Sequence, residues 1–167
     1  MENNTTNPKQ FRCCFTGHRP EKLYNSPEHI KELLKDAIEK TISDGYYVFI
    51  SGMARGVDLW AAELVIEEKK RNPSIKLMCV SPYFGFEKKW NFRDQLTYNY
   101  VIKNADYVKY LSDHYSRYCF HTRNTFMVNN CNRVIAAFNG ERGGTYNTIN
   151  YAKNKNLEII NILNHPD

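Results

Sequence analysis

The sequence predicts a single-domain, Rossmann-like α/β fold in which a doubly wound, mostly parallel sheet carries helices on both faces. Short, near-continuous apolar segments are typical of strands that are buried on both faces. Amphipathic helical segments alternate with them, and glycine-containing turns follow several of the strands. The length of 167 residues fits one domain, and we expect residues 1–10 to form a flexible leader before a domain of residues 11–167.

The first strand and helix are predicted from their boundaries as much as from their hydrophobicity. Residues 11–16 form a short apolar segment that leads into a glycine turn. Ser26, Pro27 and Glu28 then supply a helix N-cap, a first-turn proline and an acidic residue near the positive end of the helix. Apolar residues recur at helical spacing after this point, and Asp44-Gly45 ends the helix.

The remaining elements continue the alternation of strands and helices. Right-handed crossovers between successive parallel strands then give the doubly wound topology. Strands are predicted over residues 46–50, 76–80, 106–111, 133–138 and 158–163. Helices are predicted over residues 57–70, 87–104, 116–130 and 145–153.

Composition and charge exclude several classes of protein. The net charge of +5, from 23 Lys plus Arg and 18 Asp plus Glu, is spread along the chain and suits a small anionic ligand better than nucleic acid. The five cysteines form no CxxC pair, so we expect free, buried thiols in a reducing, cytoplasmic setting. We find neither a secretory leader nor an apolar stretch of roughly 20 residues, and we expect no membrane association.

Four loops are predicted at the carboxyl ends of the strands, where open α/β sheets bind ligands. They cover residues 16–20, 51–58, 81–85 and 140–145. Glycine lets the backbone approach a ligand closely, and a helix N-terminus behind it offers unpaired N–H groups to an anion. Because the sequence contains neither GxGxxG nor GxxxxGKS/T, we expect neither a dinucleotide fingerprint nor a P-loop, and no cofactor or metal.

Some side chains in these loops are candidates for ligand contacts. Arg19 can pair with a phosphate through two parallel hydrogen bonds, whereas His18 either contacts the ligand or braces its own loop. Tyr83 and Phe84 lie in the third loop, where an aromatic ring can stack on a nucleobase.

Four ordered motifs give the sequence a resemblance to a known family. They are TGHRP, SGMARGVDLWAAE, RN-x-x-MV and NGERGGT, and the likeness covers residues 12–162. Together they resemble the YpsA-like (DUF1273) branch of the SLOG superfamily. Relatives in that superfamily include the Lonely Guy phosphoribohydrolases, the DNA-processing protein DprA and nucleotide-sensing domains of bacterial immunity. The resemblance implies a Rossmann-like fold with a pocket for a nucleotide-type small molecule.

The ligand-binding residues implied by the loops and by this resemblance form four groups along the chain. The resemblance assigns the cradling of a phosphate to the GGT triplet of the last motif. The predicted residues are Thr16, Gly17, His18 and Arg19; Ser51, Gly52, Arg55, Gly56 and Asp58; Tyr83 and Phe84; and Arg123, Asn124, Gly143, Gly144 and Thr145.

The sequence departs from the Lonely Guy pattern at the catalytic glutamate of that family. Lonely Guy enzymes carry PGGxGTxxE, and Thr148 occupies the glutamate position in this chain. A glycosidic-bond hydrolase needs a carboxylate to stabilise positive charge or to activate water. Asp58 and Glu63 are the remaining catalytic candidates, with Arg123 as a partner. A helix-cap role for Asp58 and a solvated or ion-paired role for Glu63 are the alternatives.

Three functions remain open from the sequence. The leading hypothesis is a protein that binds an ADP-ribose-like molecule or a nucleoside phosphate as a sensor or sequestering protein, without a complete catalytic set. The second is a phosphoribohydrolase that cleaves the N-glycosidic bond of a nucleoside monophosphate. The third is a DprA-like protein that binds single-stranded DNA. The resemblance also implies a homo-oligomer and suggests nucleotide signalling, in anti-phage defence or in phage counter-defence.

Overall fold

The computed structural model describes residues 7–163, which contain six strands and five α-helices. A short 3₁₀ turn, Pro20–Lys22, follows the first strand. In chain order the elements are β1 (Arg12–Gly17), α1 (Pro27–Ser43), β2 (Val48–Ser51), α2 (Val57–Arg71), β3 (Lys76–Ser81), α3 (Phe92–Asn104), β4 (Tyr107–Tyr110), α4 (Cys119–Asn129), β5 (Arg133–Ala137), α5 (Gly144–Asn154) and β6 (Glu158–Asn161).

The six strands form one sheet in the order β4-β3-β2-β1-β5-β6, and all neighbouring pairs are parallel. The chain moves outward from β1 to β4 and then returns to the other side of β1 with β5 and β6. The strand order therefore reverses between β1 and β5, whose register pairs Gly17 with Ala137. An open α/β sheet forms a ligand crevice at this kind of reversal. The predicted Rossmann-like fold is confirmed.

Both faces of the sheet are covered along β1, β2, β3 and β5, because successive side chains of these strands enter opposite apolar layers. The edge strand β4 differs, since all four of its residues are exposed. In one layer Phe15 and Phe49 stack with their ring centroids 6.0 Å apart and belong to the larger core cluster. In the other layer Cys14 and Ile50 pack with Met127 of α4. All five cysteines are free and buried, as the sequence predicts.

The start of α3 differs from the sequence-based prediction. The helix expected over residues 87–104 begins at Phe92, so its predicted first turn was wrong. The side chain of Asn91 accepts a hydrogen bond from the Asp94 N–H at 2.9 Å and caps the helix there, while turns precede it. The ends of the other elements differ from prediction by three residues or fewer.

The predicted leader lies only partly within the described residues, since residues 1–6 fall outside them, as do residues 164–167. Near its end, the Gln10 N–H donates to the Asn7 carbonyl at 2.9 Å and forms a turn before β1. Across residues 7–163, no helix has the length and apolar character needed to cross a bilayer.

Candidate ligand-binding site

A cavity of about 280 Å³ opens at the carboxyl ends of the strands, between the ends of β1 and β5. Its walls come from the loops after β1, β2 and β3, from α4 and from the first turn of α5. Arg19, Lys22 and Arg123 are the cations of the lining, and Asp58 is its carboxylate. The full lining is Phe15, Thr16, Gly17, His18, Arg19, Lys22, Ala54, Asp58, Phe86, Phe120, Arg123, Asn124, Met127, Gly143, Gly144 and Thr145. This excess of cations favours an anionic ligand.

The loops after β1 and β2 pack directly against each other and form one wall. A Cβ atom at Gly17 would lie 2.5 Å from a methyl carbon of Val57, so only glycine permits this approach. Gly56 lies equally close to Pro20, since a Cβ there would lie 2.7 Å from the proline Cδ. The TGHRP and SGMARG motifs therefore pack against each other, and a larger side chain at Gly17 or Gly56 would push the two loops apart.

Asp58, in the first turn of α2, organises the loop after β2. Its carboxylate accepts a hydrogen bond from the Ala54 N–H at 3.2 Å, and its carbonyl accepts one from the Ser51 hydroxyl at 2.9 Å. Asp58 lines the cavity but is only 5% exposed. Burial raises the pKa of its carboxyl group, while the guanidinium of Arg123 opposes the rise. A carboxyl group in this environment is suited to hold a proton.

Arg123 of α4 is the buried cation of the site, with 7% of the residue exposed. Nη1 donates to the Gly52 carbonyl at 3.0 Å, while Nε and Nη2 donate to Oδ1 of Asn124 at 3.1 and 3.0 Å. Burial lowers the pKa of the guanidinium, and Asp58 offsets part of this effect. A guanidinium carries five N–H donors. The three hydrogen bonds found within the described residues leave two donors for a ligand.

His18 is a buried polar residue at the end of β1, with 5% of the residue exposed. Its ring stacks on Phe138 with centroids 5.5 Å apart and an interplanar angle of 27°. Nε2 has no hydrogen-bond partner among the described residues. Burial lowers the pKa of the imidazole, and Glu141 opposes the shift. An unpaired buried polar atom costs about 1–3 kcal/mol, which a ligand that hydrogen-bonds to Nε2 would recover.

The N-terminus of α5 forms the opposite wall of the cavity. Gly143 is the N-cap residue and supplies no side-chain cap, in contrast to α1, where the Ser26 hydroxyl accepts from the His29 N–H at 3.2 Å. The first-turn N–H groups of a helix carry partial positive charge and have no partner within the helix. Gly143, Gly144 and Thr145 all line the cavity. This helix end is therefore suited to an anion such as a phosphate.

The structure brings predicted residues from three of the four loops, and from α4, to this one cavity. Those that line it are Thr16, Gly17, His18, Arg19, Asp58, Arg123, Asn124, Gly143, Gly144 and Thr145. The sequence motifs therefore meet in space although they are far apart in the chain.

Four further predicted residues lie behind the lining and support the loop after β2. The Gly52 carbonyl accepts a hydrogen bond from Arg123, and the Ser51 hydroxyl donates one to the Asp58 carbonyl. Gly56 makes the close contact with Pro20 described above. Arg55 forms ion pairs with Glu21 at 2.9 Å and with Asp94 at 3.7 Å. These residues shape the wall without forming its surface.

Tyr83 and Phe84 lie outside the lining of the cavity. Tyr83 packs edge-on against Phe86, with centroids 5.4 Å apart, and against Tyr115 at 5.9 Å. Phe84 packs edge-on against Tyr110 at 5.3 Å and is exposed. Their placement does not support the predicted stacking on a base in this cavity, because both rings are held in an aromatic cluster after β3.

Glu63 also lies away from the cavity, half-buried on α2. Burial raises the pKa of its carboxyl group, and Lys31 and Arg93 oppose this effect. Its electrostatic partners therefore belong to α1 and α3 and not to the cavity. Of the two carboxylates that the sequence singled out, Asp58 lines the cavity.

Several residues in the lining were missed from the sequence. Lys22 adds a cation in the 3₁₀ turn after β1, and its position near the TGHRP motif was the available signal. Phe86 and Phe120 contribute aromatic rings whose centroids lie 5.7 Å apart. Ala54 contributes through its backbone position, for which the sequence carries no signal.

Comparison with known proteins identifies the family. A family model described as the YspA SLOG family matches residues 13–163. The chain belongs to this YpsA family. The resemblance predicted from the four motifs is confirmed.

Curated relatives are UPF0398 proteins of staphylococci and related bacteria. One from Macrococcus caseolyticus is 36% identical over 136 residues, covering 76% of this chain and 73% of that protein. The UPF0398 protein SERP1017 of Staphylococcus epidermidis is 29% identical over 123 residues, covering 71% of this chain. The match spans 65% of SERP1017, slightly less than two thirds of its length.

Solved structures with the same fold include two DNA processing proteins. DNA processing protein A (DprA) of Streptococcus pneumoniae has a TM-score of 0.63 and 17% identity, over 89% of this chain and 48% of that chain. DprA of Helicobacter pylori, described with a single-stranded DNA binding mode, has a TM-score of 0.59 and 18% identity, over 89% and 63% of the two chains. TM1055 has a TM-score of 0.56 and 15% identity, over 89% and 71%. These likenesses show a shared fold.

Proposed function

We propose that the protein binds a nucleotide or nucleotide-derived ligand, such as a nucleoside phosphate or an ADP-ribose-like molecule, and acts as a sensor or sequestering protein. One observation carries the proposal. Buried Arg123, His18 with its unpaired Nε2, and the N-terminus of α5 all line a single cavity at the strand reversal. A phosphate can accept hydrogen bonds from N–H donors of these groups, and its negative charge is attracted to the Arg123 guanidinium.

The phosphate lies, in this proposal, between Arg123 and the first turn of α5. The two free guanidinium donors and the backbone N–H groups of Gly144 and Thr145 supply charge-assisted hydrogen bonds. Arg19 and Lys22 add positive charge at the mouth, where both side chains are exposed. Charges at an exposed mouth mainly raise the rate of association.

The small number of carboxyl groups in the cavity favours ligand binding over catalytic turnover of the ligand. Thr148, at the position of the Lonely Guy glutamate, is buried, and its hydroxyl donates to the Gly144 carbonyl at 2.8 Å. Thr148 therefore braces the first turn of α5 and supplies no acid or base. Among the residues that line the cavity, Asp58 is the remaining carboxyl group, and it already accepts a backbone hydrogen bond.

Asp58 nevertheless supports a second candidate function, a phosphoribohydrolase. Its raised pKa would allow the carboxyl group to protonate a leaving base as a general acid. Asn at this position keeps an oxygen for the Ala54 N–H but cannot transfer a proton. The Asp58→Asn variant therefore separates the two functions without removing the structural hydrogen bond.

The proposal is tested by thermal-shift titration with AMP, ADP-ribose, NAD and cyclic nucleotides. We expect at least one of them to raise the melting temperature in a concentration-dependent manner. Incubation of the same mixtures, followed by chromatography, should recover the nucleotide intact. Release of a free base by the wild type but not by Asp58→Asn would instead establish the hydrolase. No stabilisation by any of these ligands would contradict the proposed function.

The proposed function also includes a cellular location and an assembly state. We place the protein in the cytoplasm and expect a homo-oligomer, which sedimentation equilibrium measures. Single-stranded DNA binding requires an affinity that falls steeply with salt. We expect only weak binding of oligonucleotides, and nanomolar, strongly salt-dependent binding would favour the DNA-binding alternative.

A further inference from the structure

A second, smaller cavity of about 90 Å³ adjoins the first between α4 and α5. The two cavities share Phe120, Asn124 and Gly144. The remaining residues of the smaller cavity are His121, Thr125, Asn147, Thr148 and Tyr151. A ligand whose phosphate lies at the start of α5 therefore reaches this cleft by extending past the first turn of the same helix.

The two cavities differ in charge. The larger one contains Arg19, Lys22, Arg123 and Asp58, whereas the lining of the cleft contains no Lys, Arg, Asp or Glu. Its side chains carry hydroxyl, amide and aromatic groups, together with the imidazole of His121. A charged group gains little from entering such a site, because it loses hydration without gaining an opposite charge. The cleft is suited to an uncharged group that forms hydrogen bonds.

Asn124 is oriented by Arg123 and lines both cavities. Its Oδ1 accepts two hydrogen bonds from Arg123, at 3.1 and 3.0 Å, which fixes the direction of the amide. Its Nδ2 faces α5, since a Cβ at Gly144 would lie 4.0 Å away from it. The same residue thus holds Arg123 and carries N–H donors where the two cavities adjoin.

Other polar groups of the cleft remain available to a ligand. Within residues 7–163, the side chains of Thr125 and Asn147 have no hydrogen-bond partner in the protein. An amide supplies both donors and an acceptor, and a hydroxyl supplies one donor and two lone pairs. Mixed donors and acceptors match the edge of a heterocyclic base.

The aromatic ring of Phe120 lines both cavities and packs against two further rings. Phe120 contacts Phe86, with centroids 5.7 Å apart, and Tyr115 at 6.3 Å. Tyr151 closes the other end, where its hydroxyl donates to Asn129 at 2.8 Å. The Arg123 guanidinium carbon lies 5.7 Å from the centroid of the Phe120 ring, and the Lys155 ammonium lies 5.5 Å from that of Tyr151. Each ring therefore already carries a cation over one face, and a planar group can stack only on the other face.

The geometry points to a nucleobase subsite in this cleft, so that the ligand is a nucleoside 5′-monophosphate with its phosphate at α5 and its base between α4 and α5. This inference rests on the proposed function and specifies its ligand class. The combined volume of the two cavities is compatible with a ligand of this size, because it lies at the lower end of the roughly 300–1,000 Å³ typical of small-molecule sites.

The subsite is tested by calorimetric titration with inorganic phosphate, ribose 5-phosphate, AMP, GMP, CMP and UMP. At least one nucleotide should bind about tenfold more tightly than ribose 5-phosphate. Asn147→Leu should lower the affinity for that nucleotide about tenfold and leave ribose 5-phosphate binding unchanged. Asn147 is exposed, so the variant should fold. Asn154→Leu, an exposed position at the far end of α5, is the matched control and should change neither affinity.

The outcomes separate the subsite from the proposed function. Equal affinity for ribose 5-phosphate and for all four nucleotides would overturn the subsite while leaving the phosphate site intact. An equal effect of Asn147→Leu on ribose 5-phosphate and on the nucleotide would do the same. Thr125→Val provides a second variant on α4 and should also weaken nucleotide binding selectively. Failure of every phosphate-bearing probe to bind would contradict the proposed function itself.

Discussion

The guanidinium of Arg123 donates a hydrogen bond to the Gly52 carbonyl at 3.0 Å and so joins α4 to the loop after β2. The same guanidinium is held by Asn124 on its other side. Three hydrogen bonds thus fix a cation that is 7% exposed at the cavity wall. An arginine held in this way has lost its side-chain entropy before the ligand arrives, which favours affinity.

Arg123→Lys should lower nucleotide affinity by about tenfold to a hundredfold, because lysine keeps the charge but loses the planar fork that binds phosphate. Calorimetric titration with the nucleotide that stabilises the wild type measures the effect. Arg93→Lys, at an exposed position on α3, is the matched control and should bind normally. Unchanged affinity in Arg123→Lys would remove this residue from the site.

Gly52→Ala should disturb the site through steric crowding. The added Cβ would lie 2.9 Å from Oδ2 of Asp58 and 3.0 Å from Nε of Arg123. We expect a loss of about 1–3 kcal/mol in the free energy of unfolding, together with weaker ligand binding. Gly45→Ala should leave affinity unchanged, because no atom lies within 4 Å of the added carbon, although its φ of +96° means that this variant also loses stability. Ligand titration of both variants tests the difference, and normal binding by Gly52→Ala would contradict it.

Asp58 should make the stability of the protein depend on pH, at pH values higher than those at which an exposed aspartate titrates. Burial raises the pKa of Asp58 in the folded protein, so its contribution is present below the unfolded pKa and is lost as the pH rises through the raised value. The uncharged amide of an Asp58→Asn variant carries no such dependence. The free energy of unfolding of the wild type should therefore fall relative to Asp58→Asn as the pH rises above about 4. Parallel curves would show that Asp58 has an ordinary pKa.

His18 should act in the opposite pH direction. Burial lowers the pKa of its imidazole, so its contribution is present above the unfolded pKa and is lost as the pH falls through the lowered value. Wild-type stability should therefore fall relative to His18→Gln as the pH drops below about 6.5. Chemical denaturation of both proteins from about pH 7.5 to about pH 5 measures this difference. A constant difference across that range would show that the imidazole titrates alike in both states.

The sequence predicted the architecture well because the signals were local. The Ser26 cap, the buried strands and the glycine turns each reflect a short segment, and together they imply a mostly parallel sheet, which the structure shows to be parallel at every strand pair. The start of α3 was missed because residues 87–90 are compatible with a helix and the Asn91 cap decides the boundary.

The sequence pointed to residues of the cavity lining where the motifs lie directly at strand ends and helix starts, as with His18 and Gly144. It did not indicate which other side chains reach the lining, because tertiary packing decides their position. Tyr83 lies at a strand end but turns into an aromatic cluster, whereas Phe120 reaches the cavity from α4. The distance from Glu63 to the cavity likewise depends on which face of α2 meets α1 and α3.

The central claim, that the cavity between β1 and β5 binds a nucleotide and keeps it intact, is tested most directly by native mass spectrometry. Freshly purified wild type and Arg123→Lys would be incubated with AMP and ADP-ribose, and the bound mass followed over time. We predict a stable increment equal to one intact nucleotide per chain in the wild type and a much weaker one in Arg123→Lys. The absence of any increment in the wild type, or an increment that decays to the mass of a ribose phosphate, would contradict the claim.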